Sequence, residues 1–221
     1  MSQQTTTAQN YLKELYQLQQ RGEKRALIPL GQLAEAVGVT PGTATTMVKR
    51  FADDGLMRYT PRRGARLSAK GEKVALGVLR RHRIVETFLV QHLGLDWAEV
   101  HAEAEILEHA ISEKVLDRLD ALLGHPTTDP HGSPIPPAKG KMHRIAMRPL
   151  SRCKPGQRVT LGRLLDTAPG FLKLAESLGL LPDTQVRVIE INEDADAVTL
   201  QVGRRTPTTL GLSAADKIMV S

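Results

Sequence analysis

The chain is poor in aromatic residues and holds one cysteine. Phe, Trp and Tyr make up 3% of 221 residues, and Cys153 stands alone, which excludes an internal disulfide framework. A core built from this composition, 41% hydrophobic, has to be aliphatic. No run approaches the roughly 18 apolar residues of a membrane span, and the first turns of sequence are polar, without a signal-peptide core. The expectation is a cytoplasmic protein with no membrane partner. Catalytic signatures are also missing. There is no His-Glu-x-x-His, no Gly-x-Ser-x-Gly, no Gly-rich phosphate loop and no Glu-x-x-His of the kind that builds redox sites in helical bundles. An enzyme is not expected.

What the chain does have is charge, and it is unevenly spread. Residues 1–71 hold 11 Lys/Arg against 5 Asp/Glu, residues 72–140 hold 7 against 11, and residues 141–221 hold 12 against 8. The front end is basic, as a nucleic-acid module would be. The acidic middle contains His82, His92, His101, His109, His125 and His131, leaving only His143 outside it. Acids and histidines gathered in one segment favour cation binding.

Taken in order, Thr5 to Thr7 cap a helix with apolar positions Tyr11, Leu12, Leu15 and Leu18, and Gly22 is a stop signal. Asn10 lies on its first turns. A second helix runs from Leu30 to Val37 and ends at Gly38. Thr40 is then an N-cap and Pro41 an N1 residue for a third helix with an apolar stripe of Ala44, Met47, Val48 and Phe51. Two short helices about a Gly-containing turn make a helix-turn-helix, the second helix being the reader. Small residues at its start, Thr40, Pro41, Gly42, Thr43, Thr45 and Thr46, permit close approach to the major groove, and Lys49 and Arg50 suit phosphates. Two short strands follow, Leu56 to Thr60 and Ala65 to Ser68, around Pro61-Arg62-Arg63-Gly64. They read as a wing whose Arg62 and Arg63 face the DNA backbone or minor groove.

A long helix is expected from Gly71 to about Leu93, carrying His82 and Glu86 one turn apart. A second, beginning near Asp96, contains His101-Ala-Glu-Ala-Glu-Ile-Leu-Glu-His109. On a helix, His101, Glu105, Glu108 and His109 fall on one face. That stripe is either a row of metal ligands or a solvated face of acid–histidine pairs. A third helix carries Ile111, Val115, Leu116, Leu119, Leu122 and Leu123. So much aliphatic surface on few helices needs a partner, which a homodimer supplies. Thr127 to Lys141, with four prolines, reads as an extended linker. Beyond it, alternating segments at Arg158–Leu165, Gln185–Ile191, Ala197–Val202 and Asp216–Val220, with a helix around Phe171–Leu178, suggest a small β-barrel. The expected domains are therefore 1–71, 72–126, a linker 127–141, and 142–221.

This order of parts resembles the diphtheria toxin repressor and manganese transport regulator family of metal-dependent repressors. The resemblance covers essentially the whole chain. It is carried by Tyr11-Leu-Lys-Glu-Leu-Tyr16, Arg81-His-Arg-Ile-Val-Glu86, Gly94-Leu-Asp96, His101 to His109, and Asp129-Pro-His-Gly-Ser-Pro-Ile-Pro136. It implies a mainly α fold with a small β domain: winged helix-turn-helix, helical dimerisation domain and C-terminal SH3-like, FeoA-type barrel. It also sorts the ligands. A primary site would use Asn10, His82, Glu105, Glu108 and His109; a secondary site would use Glu86, Asp129, His131 and Asp166, with His101 as a further candidate. Asn10 departs from the aspartate or methionine usual at that place, so the site gains an amide oxygen and no charge.

Ligand type bears on the metal independently. Carboxylates, an amide oxygen and imidazoles, without thiolate, suit Mn(II) or Fe(II), while affinity order lets Zn(II), Co(II) or Ni(II) substitute. Iron-type members tend to carry cysteine where this chain has Glu105, which favours Mn(II). The resemblance implies a cytoplasmic homodimer that binds a palindromic operator in double-stranded DNA when metal is bound, and that represses metal-uptake genes. The alternatives are a winged-helix regulator whose acidic helices are structural and metal-independent, and a helical-bundle metalloenzyme.

Overall fold

The structure, a computed structural model, describes residues 5–21, 26–138 and 146–221. The chain divides into two compact units, Met1–Arg81 and His82–Ser221. Gly22, expected to stop the first helix, lies outside the described residues, as do His143 and the junction 139–145.

In the first unit, α1 (Thr6–Arg21), α2 (Leu30–Ala36) and α3 (Pro41–Asp53) are followed by β1 (Met57–Thr60), β2 (Gly64–Leu67) and the start of α4 (Ala69–Leu93). Of the apolar positions read from the helical period, Tyr11, Leu12, Leu15, Ala44, Val48 and Phe51 are buried, together with Leu33 and Leu56, while Leu18 and Met47 are half-buried. Thr40 caps α3 by accepting from the Thr43 N–H at 3.2 Å, with Pro41 in the first turn. The strands pair in register from Met57 opposite Leu67 to Thr60 opposite Gly64. The hairpin is tied down twice: Ile28 exchanges backbone hydrogen bonds with Ala65, and the Leu67 N–H donates to Gln19 Oε1. Ser68 starts α4, accepting from the Gly71 N–H through its hydroxyl.

In the second unit, α4 continues to Leu93 and is followed by α5 (Val100–Leu107) and α6 (Glu113–Leu122). Val85 and Leu89 pack with Val100 and Ala104, while Ile84 packs with Leu116 and Ile135. The α5 helix is shorter than its sequence pattern suggests. Asp96 forms a turn, its Oδ1 accepting from the Ala98 N–H, so the helix opens at Val100 rather than near Asp96. It closes at Leu107, which leaves Glu108 as its C-cap and His109 beyond it.

The segment expected to be an extended linker is instead folded over its first half. Asp129 N–H donates to Ser133 O and Gly132 N–H to Asp129 O, and Ile135 N–H reaches Thr127 O, making a tight hairpin with Asp129, His131, Ser133 and Ile135 buried. Asp129 Oδ1 organises it from within, accepting from the backbone N–H groups of His131 and Ser133. The hairpin is seated on the β domain. Leu164 N–H donates to His131 O at 2.9 Å, and Arg163 Nε donates to Ser133 Oγ at 3.0 Å. Gly132 is required at the contact: its φ is +80°, and a Cβ there would lie 2.0 Å from Gly162 O.

The β domain is a six-stranded antiparallel sheet in the order β3-β8-β4-β5-β6-β7, with β3 at Arg148–Pro149, β4 at Arg158–Leu164, β5 at Gln185–Asn192, β6 at Ala197–Val202, β7 at Thr208–Gly211 and β8 at Ile218–Val220. Irregularities in β4 and β5 shift the register and bend it. Helices α7 (Pro169–Ser177) and α8 (Leu212–Ala215) complete the domain. Its core is aliphatic, from Val159, Leu161, Leu172, Val188, Val198, Leu200 and Ile218, and it also takes in Ala98 and Trp97 from the turn before α5. No helix among the described residues is long and apolar enough to cross a membrane.

Candidate metal centre and DNA-reading helix

Helix α4 positions His82 and Glu86 one turn apart on the same face, and α5 with its C-terminal turn brings up the rest. His82 Nδ1 is 2.6 Å from Glu108 Oε2 and 3.7 Å from Glu105 Oε1, and His109 Nε2 is 3.3 Å from Glu108 Oε1. The other nitrogen of His82 faces a second set. His82 Nε2 is 2.9 Å from Glu86 Oε1 and 3.0 Å from His101 Nδ1, and His101 Nδ1 is 3.0 Å from Glu86 Oε1. On its far side, Glu86 Oε2 lies 3.9 Å from His131 Nδ1. Three groups have ligand atoms close enough to share an ion: His82 with Glu105 and Glu108; His82 with Glu86 and His101; and Glu86 with Asp129 and His131.

The cluster is buried where it matters. Glu86 and Glu108 are 2% and 0% exposed, so their charges need compensation from within. Burial works to raise the Glu86 carboxyl, but the charge of His82, hydrogen bonds from the His101 and His82 rings and the charge of His131 outweigh it, and Glu86 is held well below the usual carboxylate range. Asp129 moves the other way. Burial and then the Glu86 charge push its carboxyl up, against Arg83, His131 and the Ser133 N–H. Two buried carboxylates of opposite tendency side by side, with imidazoles around them, are a donor set that a divalent cation would satisfy. The residues present fit such an ion.

Sequence reading placed His82, Glu105, Glu108 and His109 together, and Glu86 with Asp129 and His131; the structure brings both sets together. His82 and Glu86 bridge them rather than belonging to one each, and His101 stands with both. Asp166 is not gathered with the other candidates. It is in none of the three groups among the described residues: its Oδ2 takes the Lys217 ammonium at 2.7 Å, and its Oδ1 accepts from the Ala168 N–H. A carboxylate three residues before Pro169, which opens α7, forms the turn into that helix. Asn10 lies in the first unit, where its Oδ1 is buried with no hydrogen-bond partner, an acceptor left over. Arg83 and Trp97 were missed. Arg83 Nε is 3.5 Å from Asp129 Oδ2, and Trp97 offers its backbone carbonyl to His131. The only available signal for Arg83 was its place beside His82; Trp97 gave none, since a main-chain carbonyl has no signature in sequence.

On α3, Pro41, Gly42, Thr43, Thr46, Lys49 and Arg50 are exposed along one side, as is the cap Thr40, while Ala44 and Val48 face the core. Thr45 and Thr46 turn their hydroxyls back onto the carbonyls of Pro41 and Gly42. Arg62 and Arg63 are exposed at the tip of the hairpin, Arg62 in the left-handed region at φ 62°.

A winged helix joined to a buried acid–histidine cluster and a small β domain defines the class of metal-dependent repressors, and comparison with known proteins agrees. Residues 3–65 match the iron dependent repressor N-terminal DNA binding domain, residues 68–137 the iron dependent repressor metal binding and dimerisation domain, and residues 148–221 the FeoA domain. A solved manganese-dependent transcriptional repressor in complex with manganese superposes with a TM-score of 0.90 at 37% identity, covering 96% of this chain and 98% of that one. ScaR with bound Zn2+ superposes at 0.80 with 31% identity, covering 97% of this chain and 98% of that one. The chain belongs to the diphtheria toxin repressor and manganese transport regulator family. The iron-dependent repressor IdeR of Mycobacterium leprae is 41% identical over 131 residues, 59% of this chain, and the match spans 55% of that relative's length.

Proposed function

We propose that this chain is a homodimeric, metal-dependent transcriptional repressor, with Mn(II) as its favoured effector and Fe(II) as the alternative. The observation that carries the reading is the convergence of Glu105 and His101 on the buried His82, Glu86 and Glu108, in a chain that also presents an exposed reading helix. A divalent cation would supply the positive charge that the buried carboxylates lack. His82, Glu105, Glu108 and His109 would hold it at the primary site; Glu86, Asp129 and His131 would serve a second. Oxygen and nitrogen ligands without thiolate favour Mn(II), the metal bound by the manganese-dependent relative.

Leu93, Ile106, Val115 and Leu122 are exposed on α4, α5 and α6, and supply the apolar surface through which two copies associate. A dimer presents two copies of α3 to a palindromic operator with half-sites about one helical turn apart, roughly 34 Å. Metal and DNA affinity are then reciprocally coupled, by about 1–3 kcal/mol, and metal-uptake genes are the targets such coupling would serve. Fluorescence anisotropy of a labelled promoter duplex, titrated with the chain in Mn(II), Fe(II), Zn(II) or chelator, tests this directly. Binding that is equally tight in chelator would overturn metal dependence and leave a plain winged-helix regulator.

A further inference from the structure

Of the segments that carry the family resemblance, Gly94-Leu95-Asp96 has no role in the reading above. The structure gives it one. Gly94, with φ +67°, ends α4, and the chain turns at Asp96, whose Oδ1 accepts from the Ala98 N–H at 2.8 Å while its carbonyl accepts from the Glu99 and Val100 N–H groups. The turn is anchored through Ala98, fully buried in the core of the β domain, with Trp97 packed against the same core. It therefore holds the Trp97 carbonyl in a fixed place. That carbonyl lies 2.8 Å from His131 Nε2, and the Trp97 ring stacks on the imidazole with centroids 5.4 Å apart and planes 28° apart.

A carbonyl only accepts, so Nε2 carries a hydrogen, and whenever the ring is neutral its lone pair lies on Nδ1. His131 Nδ1 is buried, has no hydrogen-bond partner, and lies on the side of Glu86. A buried imidazole nitrogen without a partner is costly unless something else is to use it. We infer that the Asp96–Ala98 turn is a positioning element for the second metal site: it fixes His131 in the Nε2–H tautomer, so that Nδ1 is the ligand atom. Asp96 and Trp97 touch no metal; they act through His131. The inference rests on the proposed second site for its purpose, but the tautomer itself needs no metal.

The test has two independent arms. Histidine-selective 15N NMR of the full metal-free chain at about pH 8 reads the tautomer, and His131 is expected to be essentially all Nε2–H. Asp96→Ala, which removes the side-chain acceptor of the turn, is expected to give a mixture of tautomers and to shift the emission of Trp97, the only tryptophan. Asp96→Asn retains an Oδ1 acceptor and is expected to restore both. Titration of the same three proteins with Cd(II) should then place the metal at Nδ1 in the parent and weaken the second binding phase of Asp96→Ala by about 10–100-fold, the usual cost of losing a residue that orients a ligand. An Nδ1–H ring or a mixture in the metal-free parent overturns the inference, as does an Asp96→Ala variant indistinguishable from the parent. The Nε2–H tautomer in the parent, with no effect of Cd(II) on His131, sinks the second metal site and leaves the turn's hold on the ring intact. Should Asp96→Ala fail to fold, Trp97→Phe, which keeps the carbonyl and a stacking ring, must preserve the tautomer.

Discussion

The reading helix and the ligand cluster are built on opposite principles. On α3 every proposed contact comes from one continuous stretch, Thr40 to Arg50, set out on a single exposed side by a cap and a proline. The cluster is drawn from α4, α5, the turn beyond it and the hairpin after α6, and its central groups are buried. A surface reader loses one contact when one residue changes. A buried cluster of mutually compensating charges loses its balance, because removing one member leaves its partners uncompensated. The comparison therefore predicts steep, coupled effects in the cluster and shallow, separable ones on α3.

The steepest effect should come from Glu108, which is fully buried and faces both His82 and His109. Glu108→Ala is expected to abolish metal-stimulated DNA binding, with metal affinity falling by more than the roughly 10–100-fold typical of a supporting residue; full stimulation in anisotropy would break the assignment. His131→Ala is the next largest. Calorimetric titration should retain the tight binding phase and lose the second, and loss of both phases would mean that the bridging role of Glu86 dominates the centre.

Effects on the DNA side should be smaller and additive. Lys49→Ala is expected to weaken DNA binding about equally across sequences and to lower the salt slope of log affinity by about 1. A change in base preference instead would make Lys49 a reader rather than an anchor. Thr40→Ala should cost about 1 kcal/mol of stability through the lost cap, measured by urea unfolding. Smallest of all is Asp166→Ala. Its pairing with Lys217 is partly solvated, so stability should change by no more than about 1 kcal/mol and the metal isotherm should not move. A shifted isotherm would return Asp166 to the ligand set.

The same contrast explains what the sequence made legible. Local features were readable because their cause is local: the Thr40 cap, the Pro41 start, the hairpin around Arg62 and Arg63, and the helical period that placed Leu12, Leu15 and Val48 inside. The candidate acid–histidine cluster was readable because His82 and Glu86 share one helix face and the acids and histidines of the α5 segment another. The sharing of His82 and Glu86 between groups was not, since it depends on how α4, α5 and the hairpin pack. The hairpin itself was hidden by its prolines, which signal extended chain while Asp129 gathers the backbone N–H groups around it. Strands β3 and β7 escaped because they are short, and β7 follows closely on the turn around Gly203 and Pro207.

Gly132 carries a wider implication. With backbone of the β domain 2.0 Å from where a Cβ would stand, no side chain fits at this point, and the loop bearing Asp129 and His131 takes its position from the sheet it rests on. The two halves of the second unit therefore share one tolerance: a sheet that shifted by a few tenths of an ångström would carry its ligands with it. A shortened chain without its β domain would keep the His82 and Glu108 side of the centre and lose the setting of the Glu86 and His131 side. Such a chain would sense metal with one hand.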